Sequence, residues 1–249
     1  MSGTSGVITL RAASIFQAQG KAPAQEDHAI SAPEKKIFVV ADGFGGPEAG
    51  KNAARAACDA VFGFLQKEAG DLEATLPFVL RSYFSLAGNV LFNALIHANR
   101  AVLKNNLKKN VHEKGGASAI ASYLDGDLLA LANVGGCGAW ILRDDRITEL
   151  VVPRTYARLL NPFGDSGDLN VPLMALGTAE DIEPEIVECR IQAGDWVVLK
   201  TDGIEPELKQ GLREVKQRQC SYSEVTEAVS GLFGREHRPY NSTILLMIF

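Results

Sequence analysis

Apolar and polar residues in the first hundred positions follow two different periods. Residues 26–30 and 36–42 have the short apolar patterns of β-strands, and the turn sequence SAPEKK between them predicts a hairpin. From about residue 48 to 67, small apolar residues recur at gaps of three and four, which predicts a helix. The same spacing predicts a second, longer helix from about residue 76 to 107.

The second part of the chain is dominated by strands. Residues 117–151 predict three strands joined by tight turns, and residues 185–202 predict two more. Residues 152–176 between them are weakly patterned and are expected to form a surface loop or flap. Two amphipathic helices, at about 205–218 and 223–233, precede a final strand. Helices grouped apart from antiparallel strands predict an α+β layered sandwich rather than a doubly wound parallel sheet.

Composition narrows the class of protein without naming it. The chain has 249 residues, 46% of them hydrophobic, which suits one large domain or two small ones. Its formal net charge of -5 argues against nucleic acid or an anionic membrane as a partner. We find no membrane-spanning apolar run, no signal peptide and no paired cysteine motif among the four cysteines, so we expect a cytoplasmic protein with free thiols.

Two apolar segments each end on an Asp-Gly pair, Asp42-Gly43 and Asp202-Gly203. Two carboxylates at the edge of a core repel each other and are costly to bury, and a divalent cation relieves both problems. Hard carboxylate oxygens favour Mg²⁺ or Mn²⁺ over softer ions. Asp-Gly after a strand is also ordinary turn chemistry, so from spacing alone a metal site and two plain turns both stay open.

The order of several motifs resembles the metal-dependent protein phosphatase family, type 2C, over nearly the whole chain. The FVVADGFGG segment resembles the family's Asp-Gly-x-Gly-Gly metal motif, and GDWVVLKTDGI resembles its Thr-Asp-Gly strand. The matching blocks are QEDHAI (25–30), FVVADGFGG (38–46), GGASAIASYLDGDLLALANVGG (115–136), LMALG (173–177), GDWVVLKTDGI (194–204) and YNSTILLMIF (240–249).

The resemblance implies a fold, a reaction and a set of ligands. It implies one domain over residues 1–249, a four-layer α-β-β-α sandwich of two antiparallel sheets flanked by helix pairs. It implies two Mn²⁺ or Mg²⁺ ions that activate a water for hydrolysis of phosphoserine or phosphothreonine. In that scheme Asp42 bridges the ions, the Gly43 carbonyl and Asp202 each bind one of them, and Asp27 holds metal-bound water.

The departures from the family pattern fall in the site rather than in the core. Tyr240 stands where the family has its final aspartate ligand, and a phenol with a pKa of about 10 is a poor ligand at neutral pH. Gly136 stands where the family has another aspartate. The family's phosphate-binding arginine is absent and only Lys21 lies nearby, so the phosphate-binding residue is unknown.

Two functions therefore remain open at this point. The first is a metal-dependent serine/threonine protein phosphatase with weakened metal binding, because Asp42 and Asp202 are retained. The second is a pseudophosphatase that uses the same fold as a regulatory or binding module, because three polar groups of the site are lost. In either case the expected partner is a phosphoprotein substrate or a signalling protein.

Overall fold

The computed structural model describes residues 8–68, 80–161, 170–204, 206–233 and 240–249. Its strands are β1 (Ala12–Ala18), β2 (Asp27–Ala32), β3 (Ile37–Phe44), β4 (Gly116–Asp125), β5 (Leu128–Val134), β6 (Gly138–Arg143), β7 (Arg146–Val151), β8 (Glu185–Arg190), β9 (Trp196–Lys200) and β10 (Ser242–Ile248). Its helices are α1 (Pro47–Glu68), α2 (Leu86–Asn106), α3 (Tyr156–Leu160), α4 (Pro206–Gln217) and α5 (Tyr222–Phe233). None of the helices described is both long and apolar enough to span a membrane.

The strands form two antiparallel five-stranded sheets that pack face to face. Sheet I has the order β2-β3-β4-β5-β8, and sheet II has the order β1-β10-β9-β6-β7. Helices α1 and α2 cover the outer face of sheet I, and α4 and α5 cover the outer face of sheet II. The four-layer α-β-β-α sandwich implied by the resemblance is therefore confirmed.

Three apolar layers hold the sandwich together, and alternation along the strands assigns side chains to them. In β3, Val39 and Ala41 face the helices α1 and α2, whereas Phe38 and Val40 face sheet II. Because both faces of β3 are covered, the strand is apolar almost throughout until Asp42. Asp42 shares the face of Phe38 and Val40, so its position in the alternation directs it toward sheet II.

The region from residue 117 to 151 contains four strands, and the prediction of three was wrong. Strand β5 ends just before Gly135, whose φ of +95° lies in the left-handed region that glycine adopts readily. This turn carries the chain from β5 in sheet I to β6 in sheet II. The sequence pattern did not show the break because apolar residues continue on both sides of it.

The second helix begins later than its spacing predicts. The structure starts α2 at Leu86, and the preceding Ser85 is its N-cap, since the Ser85 hydroxyl accepts the Gly88 N–H at 3.1 Å. Residues 80–85 precede the helix as a turn, while the predicted residues 76–79 lie outside the described ranges. The hairpin at 26–42, the first helix and both C-terminal helices are confirmed to within a few residues.

The predicted flap at 152–176 is described in part. It contains the short helix α3 and a bridge between Thr155 and Pro172, whereas residues 162–169 lie outside the description. A backbone hydrogen bond from the Arg154 N–H to the Gly135 carbonyl, at 2.9 Å, ties the start of this segment to the crossing between the sheets. The segment therefore begins beside the ends of the strands that carry the aspartates.

Candidate functional site

Asp27 and Asp42 are brought together by the first hairpin. The two residues lie directly opposite each other across β2 and β3, and Asp42 is also opposite Ser118 on β4. Residues opposite each other in an antiparallel pair project from the same face of the sheet. The hairpin register therefore places both carboxylates at the same end of strands β2 and β3, on the face of sheet I that is turned toward sheet II.

Sheet II supplies hydroxyl groups that meet Asp27. The Thr243 hydroxyl donates to Asp27 Oδ2 at 2.7 Å, and the Thr201 hydroxyl donates to the same oxygen at 3.1 Å. Thr201 follows β9, and Thr243 lies in β10, so two neighbouring strands of sheet II are tied to one carboxylate of sheet I. Asp27 is only 5% exposed, and these bonds make it a polar bridge between the two sheets.

Asp202 completes a group of three acids. It follows Thr201 directly in the chain, and the Asp42 carboxyl interacts with the side chains of both Asp202 and Asp27. Burial, and then the charges of Asp202 and Asp27, raise the pKa of Asp42 well above its ordinary value. Burial also raises the pKa of Asp27 to about 6, although the hydrogen bonds from Thr243 and Thr201 oppose that rise. Asp27 and Asp42 therefore retain protons more readily than isolated carboxylic acids do.

Gly43 is required by close packing of helix α1 against the site. A Cβ atom at Gly43 would overlap the carbonyl oxygen of Gly50 in the first turns of α1. A Cβ atom at Gly50 would in turn overlap the Glu26 carboxylate. Close packing therefore explains why a glycine is needed at position 43, whether or not a metal binds. Its role as a carbonyl ligand stays a prediction.

Tyr240 does not join the group of acids as a buried partner. Its side chain is 60% exposed. The next residue, Asn241, is firmly fixed, because its Oδ1 accepts the Glu26 N–H at 2.8 Å and its amide donates to the carbonyls of Gln19 and Ala24. Asn241 therefore anchors the start of β10 beside the start of β2, and it leaves Tyr240 at the surface.

Gly136 lies beside the site with room for a side chain. A Cβ atom there would meet the Thr155 Cγ2, the Ser118 Oγ and the Asp202 Cβ at 3.5, 3.6 and 3.9 Å, which are ordinary contact distances. The Gly136 N–H donates to the Ser118 hydroxyl at 2.9 Å. The position that the resemblance compares with an aspartate therefore faces Asp202.

The chemistry of the donors fits a hard divalent cation, but their number falls short. Asp27 Oδ1 is buried without a hydrogen-bond partner, and the three carboxyl groups repel each other when ionised, so a cation would satisfy both needs. Within the described residues, however, no three His, Cys, Asp or Glu side chains are placed to hold a metal ion together. The site thus offers the right kind of oxygen in an incomplete cage.

Sequence reasoning missed several residues that surround the acids. Thr201 and Thr243 lie within the matching motifs, but the motifs alone indicate no role for them, although their hydroxyls donate to Asp27. Their meeting at the neighbouring strands β9 and β10, far apart in the chain, is a tertiary feature with no signal in the local pattern. Cys137 is also buried beside the group, where burial and the charge of Asp42 raise the pKa of its thiol. Lys200 is buried on the outer face of sheet II, with its Nζ 5.3 Å from the centre of the Trp140 ring.

Comparison with known proteins gives this site a context. The family model described as protein phosphatase 2C matches residues 17–238 of the chain. The serine/threonine protein phosphatase PstP of Mycobacterium tuberculosis is 25% identical over 177 residues, which are 68% of this chain and 32% of that protein. The chain thus matches about a third of the length of this curated relative.

Solved structures share the fold along almost the full chain. Serine/threonine phosphatase Stp1 from Staphylococcus aureus covers 100% of this chain and 99% of its own, with a TM-score of 0.77 and 16% identity. PppA of Pseudomonas aeruginosa, described as a key regulatory component of T6SS, covers 97% and 98%, with a TM-score of 0.74 and 22% identity. The catalytic domain of PstP in complex with two manganese ions covers 96% and 98%, with a TM-score of 0.74 and 20% identity.

Proposed function

The chain belongs to the protein phosphatase 2C family, and on that basis we propose that it is a metal-dependent serine/threonine protein phosphatase with weakened metal binding. The observation that carries the proposal is the meeting of Asp27, Asp42 and Asp202 at the edges of the two sheets. The pKa values of Asp27 and Asp42 are raised, and such a cluster of acids gains most when a divalent cation replaces the protons.

In this proposal each acid has a distinct task. Asp42 is the central ligand, since it contacts both other acids, and Asp202 and the Gly43 carbonyl supply further oxygens. Asp27, held by the hydroxyls of Thr201 and Thr243, contacts Asp42 and keeps it in position. Bound Mn²⁺ or Mg²⁺ would supply Lewis acidity toward the phosphoryl oxygens and lower the pKa of water. The related PstP catalytic domain with two manganese ions supports this choice of metal.

The substrates in this proposal are phosphoserine or phosphothreonine side chains of proteins. Residues 1–249 would act as one domain in the cytoplasm, and the flap at 152–176 would lie at the entrance to the site. Four cysteines without disulfides agree with a reducing compartment.

A second candidate function is a pseudophosphatase that binds a phosphoprotein or signalling partner without hydrolysis. It is favoured by the exposed Tyr240 and by Gly136, two positions where the site lacks a carboxylate. It is also favoured by the absence of a complete metal-holding group among the described residues. Measured hydrolysis separates the two functions.

The experiment is hydrolysis of a phosphothreonine peptide over a series of Mn²⁺ concentrations that extends into the millimolar range. We expect activity that rises with Mn²⁺ and does not saturate at micromolar metal, because charge count in the cage sets divalent affinity. The control is Asp42→Asn, which keeps the size of the side chain and removes its charge.

Loss of activity in Asp42→Asn, with the fold retained by circular dichroism, would support the proposal. Activity that is equal in the variant and the parent would place the chemistry elsewhere. A folded parent that is inactive at every Mn²⁺ concentration would instead establish the pseudophosphatase function.

A further inference from the structure

The outer edge of sheet II borders an open groove with a strongly basic lining. The groove has a volume of about 460 Å³ and runs between the edge strand β7 and helix α4. Residues 145–148 line one side, and Lys209, Gln210 and Arg213 line the other. We call this feature the basic groove. It lies apart from the acids of the candidate site.

The charges of the basic groove are available to a ligand. Arg146, Lys209 and Arg213 contribute three cations, and Asp145 is the acid in the lining. Within the described residues no carboxylate forms an ion pair with any of the three cations, and Asp145 accepts a hydrogen bond from Gln217 at 3.1 Å. This local excess of positive charge contrasts with the chain's net charge of -5. It points to an anionic ligand.

The backbone of β7 supplies a second kind of recognition. β7 pairs with β6 on one side and is the last strand of sheet II on the other. Among the described residues, no backbone hydrogen bond joins its outer edge to another segment. An edge of this kind presents alternate N–H and C=O groups that can pair with an extended chain. A peptide satisfies both the edge and the cations, whereas a nucleic acid satisfies only the cations.

Charged side chains on an edge strand also discourage pairing between copies of a chain, which is the simplest reading of Arg146. That reading does not account for α4, which turns Lys209 and Arg213 toward the same groove. The Lys209 Nζ lies 5.6 Å from the centre of the Trp140 ring, a cation–π distance, so this charge is held at the sheet surface within the lining of the groove. Two independent elements therefore present cations to one channel.

We propose that the basic groove binds an acidic segment of a partner protein in extended conformation along the free edge of β7. Glutamate or aspartate side chains of the segment meet Arg146, Lys209 and Arg213, and its backbone pairs with β7. Leu142 and Trp196 lie opposite each other near the groove, and Asp202 is six residues beyond Trp196. The strand rise places the acids about 20 Å away. A phosphoprotein with an acidic stretch could thus contact the basic groove and the candidate site at the same time. This link between the two sites rests on the proposed function.

The test is fluorescence anisotropy with the labelled peptide Glu-Thr-Glu-Val-Glu-Thr-Glu-Val-Glu-Thr, measured in EDTA so that catalysis plays no part. Peptide and protein are both net negative, so their overall electrostatic repulsion opposes nonspecific binding. We expect saturable binding that weakens about tenfold in the double variant Lys209→Ala, Arg213→Ala, from the loss of two partly exposed ion pairs. The matched control, Lys51→Ala with Lys108→Ala, removes the same charge from other surfaces and should bind like the parent.

Several results would overturn the proposal. These are no binding at millimolar protein, equal weakening in both double variants, and equal affinity for a peptide whose alternate backbone nitrogens are methylated. Tighter binding of an oligothymidylate of equal length, lost in the Lys209→Ala, Arg213→Ala variant, would make the groove a nucleic-acid site instead. Because no metal is present, a failure here is distinct from a failure of the phosphatase proposal, and peptide binding can hold even if hydrolysis is never observed.

Discussion

Replacing Asp27 with asparagine should stabilise the metal-free protein at neutral and alkaline pH. Asparagine imitates the protonated acid, since its carbonyl oxygen can still accept the hydroxyls of Thr201 and Thr243. The wild-type carboxylate must instead be ionised in a site where it is 5% exposed and close to Asp42 and Asp202. The cost of that ionisation is absent from the variant.

The size of the effect follows from the pKa of Asp27, which is raised from 3.8 to about 6. A raised acid contributes stability that is fully present below its unfolded pKa and is lost as the pH rises through its folded pKa. The full difference is about 3 kcal/mol, and about half of it lies between pH 8 and pH 5. The advantage of Asp27→Asn should therefore be greatest near pH 8 and shrink by roughly 1 to 2 kcal/mol at pH 5.

The assay is thermal unfolding of both proteins in EDTA at the two pH values. For a chain of this length, about 1 to 2 kcal/mol corresponds to a change of roughly 2 to 8 °C in the difference between their Tm values. Thr243→Val gives an independent arm. It removes a bond that lowers the pKa of Asp27, so it should move the loss of stability to higher pH. An Asp27→Asn advantage that is equal at both pH values, or a penalty at pH 8, would refute the reasoning.

The remaining predictions concern the positions around the acids. Gly136→Asp should fit sterically and tighten Mn²⁺ binding by about tenfold in calorimetry, whereas Gly136→Asn should bind like the parent. Tyr240→Asp should also tighten Mn²⁺ binding, and an unchanged titration would count against a missing ligand at that position. Gly43→Ala should lower the free energy of unfolding by at least about 2 kcal/mol in urea denaturation, because its Cβ overlaps the backbone of α1.

Most of the fold could be predicted from the sequence because the local patterns of its helices and strands agree with the final structure. The apolar run that ends at Asp42, the hairpin before it and the alanine-rich spacing of α1 are local patterns, and the structure confirms them. The separation of β5 from β6 was not predictable in the same way. Two strands flanking Gly135 look alike in sequence, and only their packing assigns them to different sheets.

The candidate site was predictable only in its acids. Asp42 and Asp202 were found because each ends an apolar strand, and the structure brings them together with Asp27. The hydroxyls of Thr201 and Thr243 required the register between sheets, which no local period encodes. The basic groove likewise combines a β-hairpin with a helix that lies about sixty residues further along the chain. In the sequence, each of its charges looks like an ordinary residue of a turn or of the polar face of an amphipathic helix.

The most direct test of the central claim is calorimetric titration of Mn²⁺ into the protein near pH 6, in two buffers of different ionisation enthalpy. The account expects a dissociation constant on the order of 10⁻⁴ to 10⁻³ M and release of protons on binding, since the pKa values of Asp27 and Asp42 are raised in the metal-free protein. Asp42→Asn should lose this binding. Equal heats in wild type and Asp42→Asn, or binding without proton release, would contradict the claim that these acids form the metal site.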